Sequence, residues 1–478
     1  MAQPPLTDKS TSTSIEAGLA GTDSRETQTE ETRDELPSHR RNFFSLAAYQ
    51  ITMRIGWIFK TESIIMPAIM DLLCGPGTVL AAWLRSWLPQ LNRIGQSIPQ
   101  LLAADRIRNA SQKKYTVVIC SGLMGIIFLL LAGLWFFNSG QATPFMRVAY
   151  LVLYASFFIC VGVNNLGFNT LQGKLIRYNF RGRLFLFANS VGGLSAIVAA
   201  WWLLSRWMDE GYLGITAIFL FAGVSFLIST LFILNCRESR DRPAKENDSV
   251  EGKATGNAAS PATPSIWWLP VHLFRTNKAF RQLAIIAACF GISMVLFPHY
   301  QALYRATLEG TESVFQMSDL VTWVIIQNAG TVLISWAAGP AADRFGNRLV
   351  LQFVLFFIAS APLLAIFLST NENLTRNYYF SVFLIVGVTP VTIRVLNNFA
   401  LELAPKDSHP QFLSALSICI AFPVILCSQI VGWLIPILGF STLFSGIAVI
   451  VGIGWFLTFF VSEPRSRLTN DLAQTDNL

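Results

Sequence analysis

Charge is scarce in this chain. Only 13% of its 478 residues are Asp, Glu, Lys or Arg, about half the share of an average soluble domain. A water-soluble protein with so little charge would have no means of covering its own surface. Histidine is rarer still, and the four (His39, His272, His299, His409) stand far apart. The seven cysteines (Cys74, Cys120, Cys160, Cys236, Cys289, Cys419, Cys427) are scattered singly, without a CxxC pair or a Cys/His group. Small buried apolar side chains are their expected role, and neither a metal site nor a cofactor is expected. GxxxxGK[ST], HExxH and GxSxG are missing, and no clustered carboxylate motif appears within the apolar runs. These absences argue against ATP coupling on this chain and against an enzyme.

What fills the chain instead is apolar sequence, 53% of all residues. Runs of about 20 apolar residues, each enough to cross a hydrocarbon core, recur along most of its length. The expected fold is an all-α membrane protein with twelve transmembrane helices. The spans are drawn near 44–71, 77–102, 116–138, 146–171, 184–205, 213–235, 282–304, 318–339, 349–370, 378–402, 412–436 and 440–462. Residues 1–43 are polar, rich in Ser, Thr, Glu and Asp, and lack the apolar centre of a signal peptide; they read as a disordered cytosolic tail. Residues 237–281 read as a linker between a six-helix half at 44–236 and another at 282–463, with a cytosolic tail at 464–478. The linker begins RESRDRPAKENDSVEGKATGNAASPATP, too charged to bury a core. It continues SIWWLPVHLFRTNKAFR, where Trp267, Trp268 and Phe274 alternate with basic residues, a pattern that suits an interfacial segment.

The net charge of +7 is not gathered on a polar domain, so no nucleic-acid partner is expected. Arg106, Arg108, Lys113 and Lys114 lie between spans 2 and 3; Lys174, Arg177, Arg181 and Arg183 between spans 4 and 5; Arg344, Arg348 and Lys406 in the matching loops of the second half. The opposite loops hold only Arg147, Arg206, Arg305 and Arg376, some offset by Asp209, Glu210, Glu309 and Glu312. By the positive-inside rule both termini and the linker face the cytosol of a multi-pass plasma (inner) membrane protein.

The two halves repeat. LLAADRIRN at 101–109 matches GPAADRFGN at 339–347, and VGV at 161–163 recurs at 386–388. Six plus six spans, the central linker and the G-x-x-x-D-R-x-G run of Gly339, Asp343, Arg344 and Gly346 resemble the major facilitator superfamily. The first-half copy keeps Asp105 and Arg106 but has Leu101 and Arg108 at the glycine positions. The resemblance covers about residues 44–463 and implies two pseudo-symmetric six-helix halves, with spans 1, 4, 7 and 10 lining a central cavity. Glycines let two helix ends approach, and an aspartate at a helix terminus meets the dipole of its neighbour. Asp105, Arg106, Gly339, Asp343, Arg344 and Gly346 are therefore expected to form a gate.

Polar residues inside spans are expensive and usually functional. The expected substrate-binding residues are Arg54 and Lys60 (span 1), Asn165 and Asn169 (span 4), His299, Tyr300 and Gln301 (span 7), and Arg394 and Asn397 (span 10). Asn164, Asn398, Asn92, Arg93, Gln96, Gln327 and Asn328 add to the same polar set. Glu62 is the expected proton-coupling group if transport is proton-coupled, with His299 sharing the proton. On a continuous helix Lys60 would point about 200° away from Glu62. Asp71 and Asp319 are read as lying near the outer ends, and a tethering Glu62–Arg85 pair is the alternative to the coupling role. Arg54, Arg93 and Arg394 are alternatively placed to snorkel toward the cytosol.

The expected function is a secondary active transporter, working as a monomer, that moves a small polar or anionic solute by alternating access. A drug or metabolite efflux pump of the same fold and a non-transporting membrane sensor or scaffold stay open as alternatives.

Overall fold

The computed structural model describes residues 39–176, 178–240, 268–309, 315–404 and 408–461. Residues 1–38 and 462–478, most of the linker (with Trp267), Arg177, Glu312 and Lys406 lie outside the described residues, and residues 39–43 of the expected disordered tail are helical instead. Among the described residues every regular element is a helix. Nine helical stretches among them are long and apolar enough to cross a membrane.

Helix α1 (39–58) does not run on through the first expected span. It gives way to turns over 59–64, where the Thr61 carbonyl accepts from the Ile64, Ile65 and Met66 amides. The chain resumes as α2 (Ile65–Cys74). Helix α3 (Val79–Asn109) starts on a Thr78 cap and carries Pro89 and Pro99. Then come α4 (Lys114–Phe137), α5 (Pro144–Leu175) and α6 (Tyr178–Ala199). A π turn (Ala200–Leu204) joins α6 to the short α7 (Ser205–Trp207), and α8 (Gly211–Leu234) follows. Past α8, the Glu238 carboxylate accepts from the Lys113 and Lys114 amides at 2.9 and 2.8 Å and from Lys174 Nζ at 3.0 Å. It thereby caps the start of α4, where the helix dipole favours an anion.

Helix α9 (Leu269–Thr276) precedes α10 (Lys278–Ser293), a 3₁₀ turn (Met294–His299) and α11 (Tyr300–Leu308). Trp268 and Phe274 are exposed while Leu269 and Pro270 are buried. Next are α12 (Met317–Phe345), α13 (Asn347–Leu368), α14 (Glu372–Tyr378), α15 (Phe380–Val386) and α16 (Thr389–Leu403). The long α17 (His409–Leu457) is two helical arms meeting at Gly439, whose φ of 76° breaks the helix.

Packing is densest between α4 and α8, α3 and α5, and α10 and α17. Helix α3 also packs against α17 and the 3₁₀ turn. These contacts leave an opening between α1, α5, α12 and α16. In the expected gate run, Gly346 takes φ 87° and ends α12, a conformation that favours glycine. Gly339 differs: a Cβ there would meet nothing within 4 Å, so in this structure it is not a point of close helix approach. The Asp105, Arg108 and Asp343 side chains lie outside what is described. Arg106 and Arg344 are exposed.

Candidate functional site

A cavity of about 570 Å³ is lined from α1 by Tyr49, Arg54 and Trp57, and from the α1–α2 break by Thr61, Glu62 and Ser63. Asn92, Arg93 and Gln96 reach it from α3, Asn164 and Asn165 from α5, Asn189 from α6, Gln327 and Asn328 from α12, and Arg394 from α16. A second cavity of about 260 Å³ adjoins it and shares Arg54, Asn189, Thr331 and Arg394. Asn398, Ser335 and Gly339 line this second one.

Arg54 donates to Asn189 Oδ1 at 2.7 Å. Its aliphatic stem lies against Gly192 of α6, where an added Cβ would come 3.4 Å from Arg54 Cδ. Arg394 of α16 lines both cavities together with Arg54. The cavity thus brings two like charges from α1 and α16 together.

Among the described residues, Glu62 is the only carboxylate lining either cavity. Its Oε1 accepts from Lys60 Nζ at 2.8 Å, and its Oε2 accepts from the Asn92 amide. The expectation that Lys60 points away from Glu62 is corrected here. It assumes a continuous helix, whereas the turns over 59–64 fold the two side chains onto each other. Lys60 itself is fully buried, with Nζ 3.5 Å from the Trp57 ring centroid and 4.2 Å from that of Phe158. Such cation–π contacts stabilise a desolvated ammonium. Lys60 therefore does not line the cavity; it holds Glu62 from behind.

The span 7 residues are also corrected. His299, Tyr300 and Gln301 are all buried, and none lines the cavity. His299 Nε2 lies 3.1 Å from Ser86 Oγ, and Tyr300 packs its ring against Phe444. Phe297, in the 3₁₀ turn, lines the cavity in their place; the turn rotates the face that a regular α-helix would present. His299 meets α3 at Ser86, six residues before the Asn92 that holds Glu62. Asn169 is exposed and Asn397 half-buried, yet neither lines a cavity; Asn165 and Asn398 do, one helical turn away or one residue on.

Arg85 does not pair with Glu62. It pairs with Asp71, and Asp71 Oδ2 lies 3.7 Å from Arg305 Nη1. Asp71 is fully buried, so distance from the middle of the span does not make it peripheral. In the cavity lining, Ser63 Oγ of the α1–α2 break donates to Gln327 Oε1 of α12 at 2.7 Å.

No family model matches the chain, and no curated protein matches it by sequence. Solved structures do match. A point mutant of the nucleoside transporter NupG superposes with a TM-score of 0.65 at 12% identity, covering 87% of this chain and 99% of that one. A POT family transporter in complex with 5-aminolevulinic acid gives 0.64 at 16% identity over 89% and 96%. A bacterial homologue of the iron transporter ferroportin, in its inward-facing state, gives 0.58 at 13% identity over 88% and 98%. These are transporters of the major facilitator fold, and that fold is what this chain shares with them.

Proposed function

We propose that this chain is a secondary active transporter moving a small polar or anionic solute by alternating access through the cavity of Arg54, Glu62 and Arg394. The observation that carries the reading is that Arg54 of α1 and Arg394 of α16 line the same two cavities. The one carboxylate lining the cavity among the described residues is already engaged by Lys60 and Asn92. Like charges gathered in a place of low dielectric favour a ligand that brings the negative charge. The solutes named with the structural neighbours, a nucleoside and iron as cargo and 5-aminolevulinic acid as a bound molecule, are small polar solutes or ions, which agrees with a transport role.

In this reading the chain makes twelve crossings in two six-helix halves. Residues 39–74, α3 and the second arm of α17 add three to the nine apolar stretches. Helix α3 is less apolar than the others because it carries Arg85, Asn92, Arg93 and Gln96, and the first crossing is broken at 59–64. Both termini are cytosolic by the positive-inside rule. The contacts of α2 and α3 with the 3₁₀ turn and α17 then close the outer side, and the cavity belongs to an inward-facing state. The chain is read as a monomer.

Glu62 is the proposed proton carrier, and protonation must release it from Lys60. The test uses protein reconstituted in vesicles, with a solute chosen by a melting-temperature screen. Transport lost in Arg54→Ala and Arg394→Ala supports the reading. Glu62→Gln should lose gradient-driven accumulation while keeping solute exchange. Accumulation with normal pH dependence in that variant would leave Glu62 a structural partner of Lys60. Ligand binding without any flux in the wild type would favour a sensor.

A further inference from the structure

The cavity has a second cationic pole that Arg54 and Arg394 do not account for. Arg93 lines it from α3, beside Glu62. Among the described residues its one hydrogen-bond acceptor is the thioether of Met294, a weak partner for a guanidinium. Glu62 does not neutralise it. Both carboxylate oxygens are taken, one by Lys60 and one by Asn92, and the Lys60 charge cancels that of Glu62. Arg93 therefore leaves a net positive charge on its end of the cavity.

The two poles are separate. The smaller cavity is lined by Arg54 and Arg394 but by neither Arg93 nor Glu62, and the break over 59–64 stands between Arg54 on α1 and the Glu62 end. Arg54 answers to Asn189 and Arg394, Arg93 to Glu62 and Met294. Between them the lining is uncharged and polar: Gln96, Asn164, Asn165, Gln327 and Asn328. A guanidinium is a planar fork matched to a carboxylate or phosphate edge. A solute with one charge satisfies one pole and leaves the net charge of the other uncompensated in a low dielectric.

We propose that the cavity is built for an organic dianion carrying its two charges at opposite ends, one on Arg54 and Arg394, the other on Arg93, with the amides along its middle. This inference rests on the anion-binding reading of the site. The test measures the melting temperature of the purified full chain at constant ionic strength. The probes are butyrate and hexanoate; succinate, glutarate, adipate and pimelate; and sulfate and phosphate. At least one dicarboxylate should stabilise at about tenfold lower concentration than either monocarboxylate, the scale of one more charged hydrogen bond. Arg93→Gln should erase that advantage and leave the monocarboxylate response in place. Arg93→Lys, which keeps the charge, should retain part of it and guards against a folding defect. Dicarboxylates no better than monocarboxylates, or an Arg93→Gln protein with its preference intact, would overturn the inference while leaving anion binding standing. Sulfate or phosphate outdoing every dicarboxylate would also overturn it, by placing both charges at one pole. If no anion stabilises the protein, the anion-binding reading itself fails.

Discussion

Two buried ionic groups lie within a dozen residues of each other and are built in opposite ways. Lys60 and Glu62 are two residues apart in one broken turn, with 0% and 25% side-chain exposure. Asp71, Arg85 and Arg305 come from α2, α3 and α11, with 0%, 3% and 13%. The first pair is local, so it keeps its geometry however the helices move. The second is complete only while α11 is docked on α2 and α3. A charge group that depends on docking can report or bias conformational state, whereas a local one tunes the charge of the cavity beside it. Each group can be broken separately.

The largest effect is expected from Asp71→Asn. The substitution keeps shape but leaves Arg85 and Arg305 facing each other with no counter-charge. Removing one partner of a buried ion pair costs about 3–5 kcal/mol. The measurement is the melting temperature of purified protein, which should fall by many degrees. Adding Arg305→Gln to the same chain should recover part of the loss, because the repulsion between the guanidiniums is relieved. An unchanged melting temperature in Asp71→Asn would mean the triad is not what holds this side of the fold together.

Arg394→Ala tests a third arrangement, cations gathered around a cavity rather than around a carboxylate. Its expected effect is on binding: loss of a charged hydrogen bond weakens a ligand by about 1.5–3 kcal/mol. Stability should change less, since removing a guanidinium relieves its repulsion with Arg54. Binding by isothermal titration, once a ligand is in hand, distinguishes the two. Affinity unchanged from the wild type in both Arg394→Ala and Arg54→Ala would sever the cavity from anion binding.

Much of this is legible in the amino-acid sequence. Apolar runs give helices because a bilayer leaves backbone groups no partner but each other. The polar residues at Arg54, Glu62, Asn165 and Arg394 do meet in one cavity. What stays hidden turns on local backbone. The break at 59–64 contains no glycine or proline, although Gly56 and Pro67 flank it, so periodicity places Lys60 on the wrong side. The 3₁₀ turn at Met294–His299 contains Pro298, a signal that the helical face would shift, and it moves His299 and Gln301 into the packed interior. Asp71 reads as peripheral from its place near a span end. Nothing in composition reveals that Arg85 from the next helix and Arg305 from α11 close over it. Asn189 and its clamp on Arg54 also escape a reading of the spans, because α6 has no expected part in the cavity; the Gly192–Gly193 pair that makes room for the arginine is the available sign.

The smallest effect, and the sharpest use of the comparison, is expected from Lys60→Met. Methionine nearly matches the lysine stem in length and is apolar, so the packing against Trp57 and Phe158 survives. What is lost is the ammonium that holds Glu62 Oε1 at 2.8 Å. Were the pair as enclosed as the Asp71 group, the cost would approach that of Asp71→Asn. Glu62 is a quarter exposed, on the cavity side, and Asn92 still donates to its other oxygen. Water in the cavity can replace the lost partner, so the expected cost is about 1 kcal/mol, toward the value for exposed pairs. The melting temperature should fall by a few degrees at most. Anion binding should also weaken, because the Glu62 charge is no longer cancelled and stands beside Arg93. A Lys60→Met protein as unstable as Asp71→Asn would show that both groups are structural, and would remove the distinction between a local pair that tunes the cavity and a docked group that closes the fold.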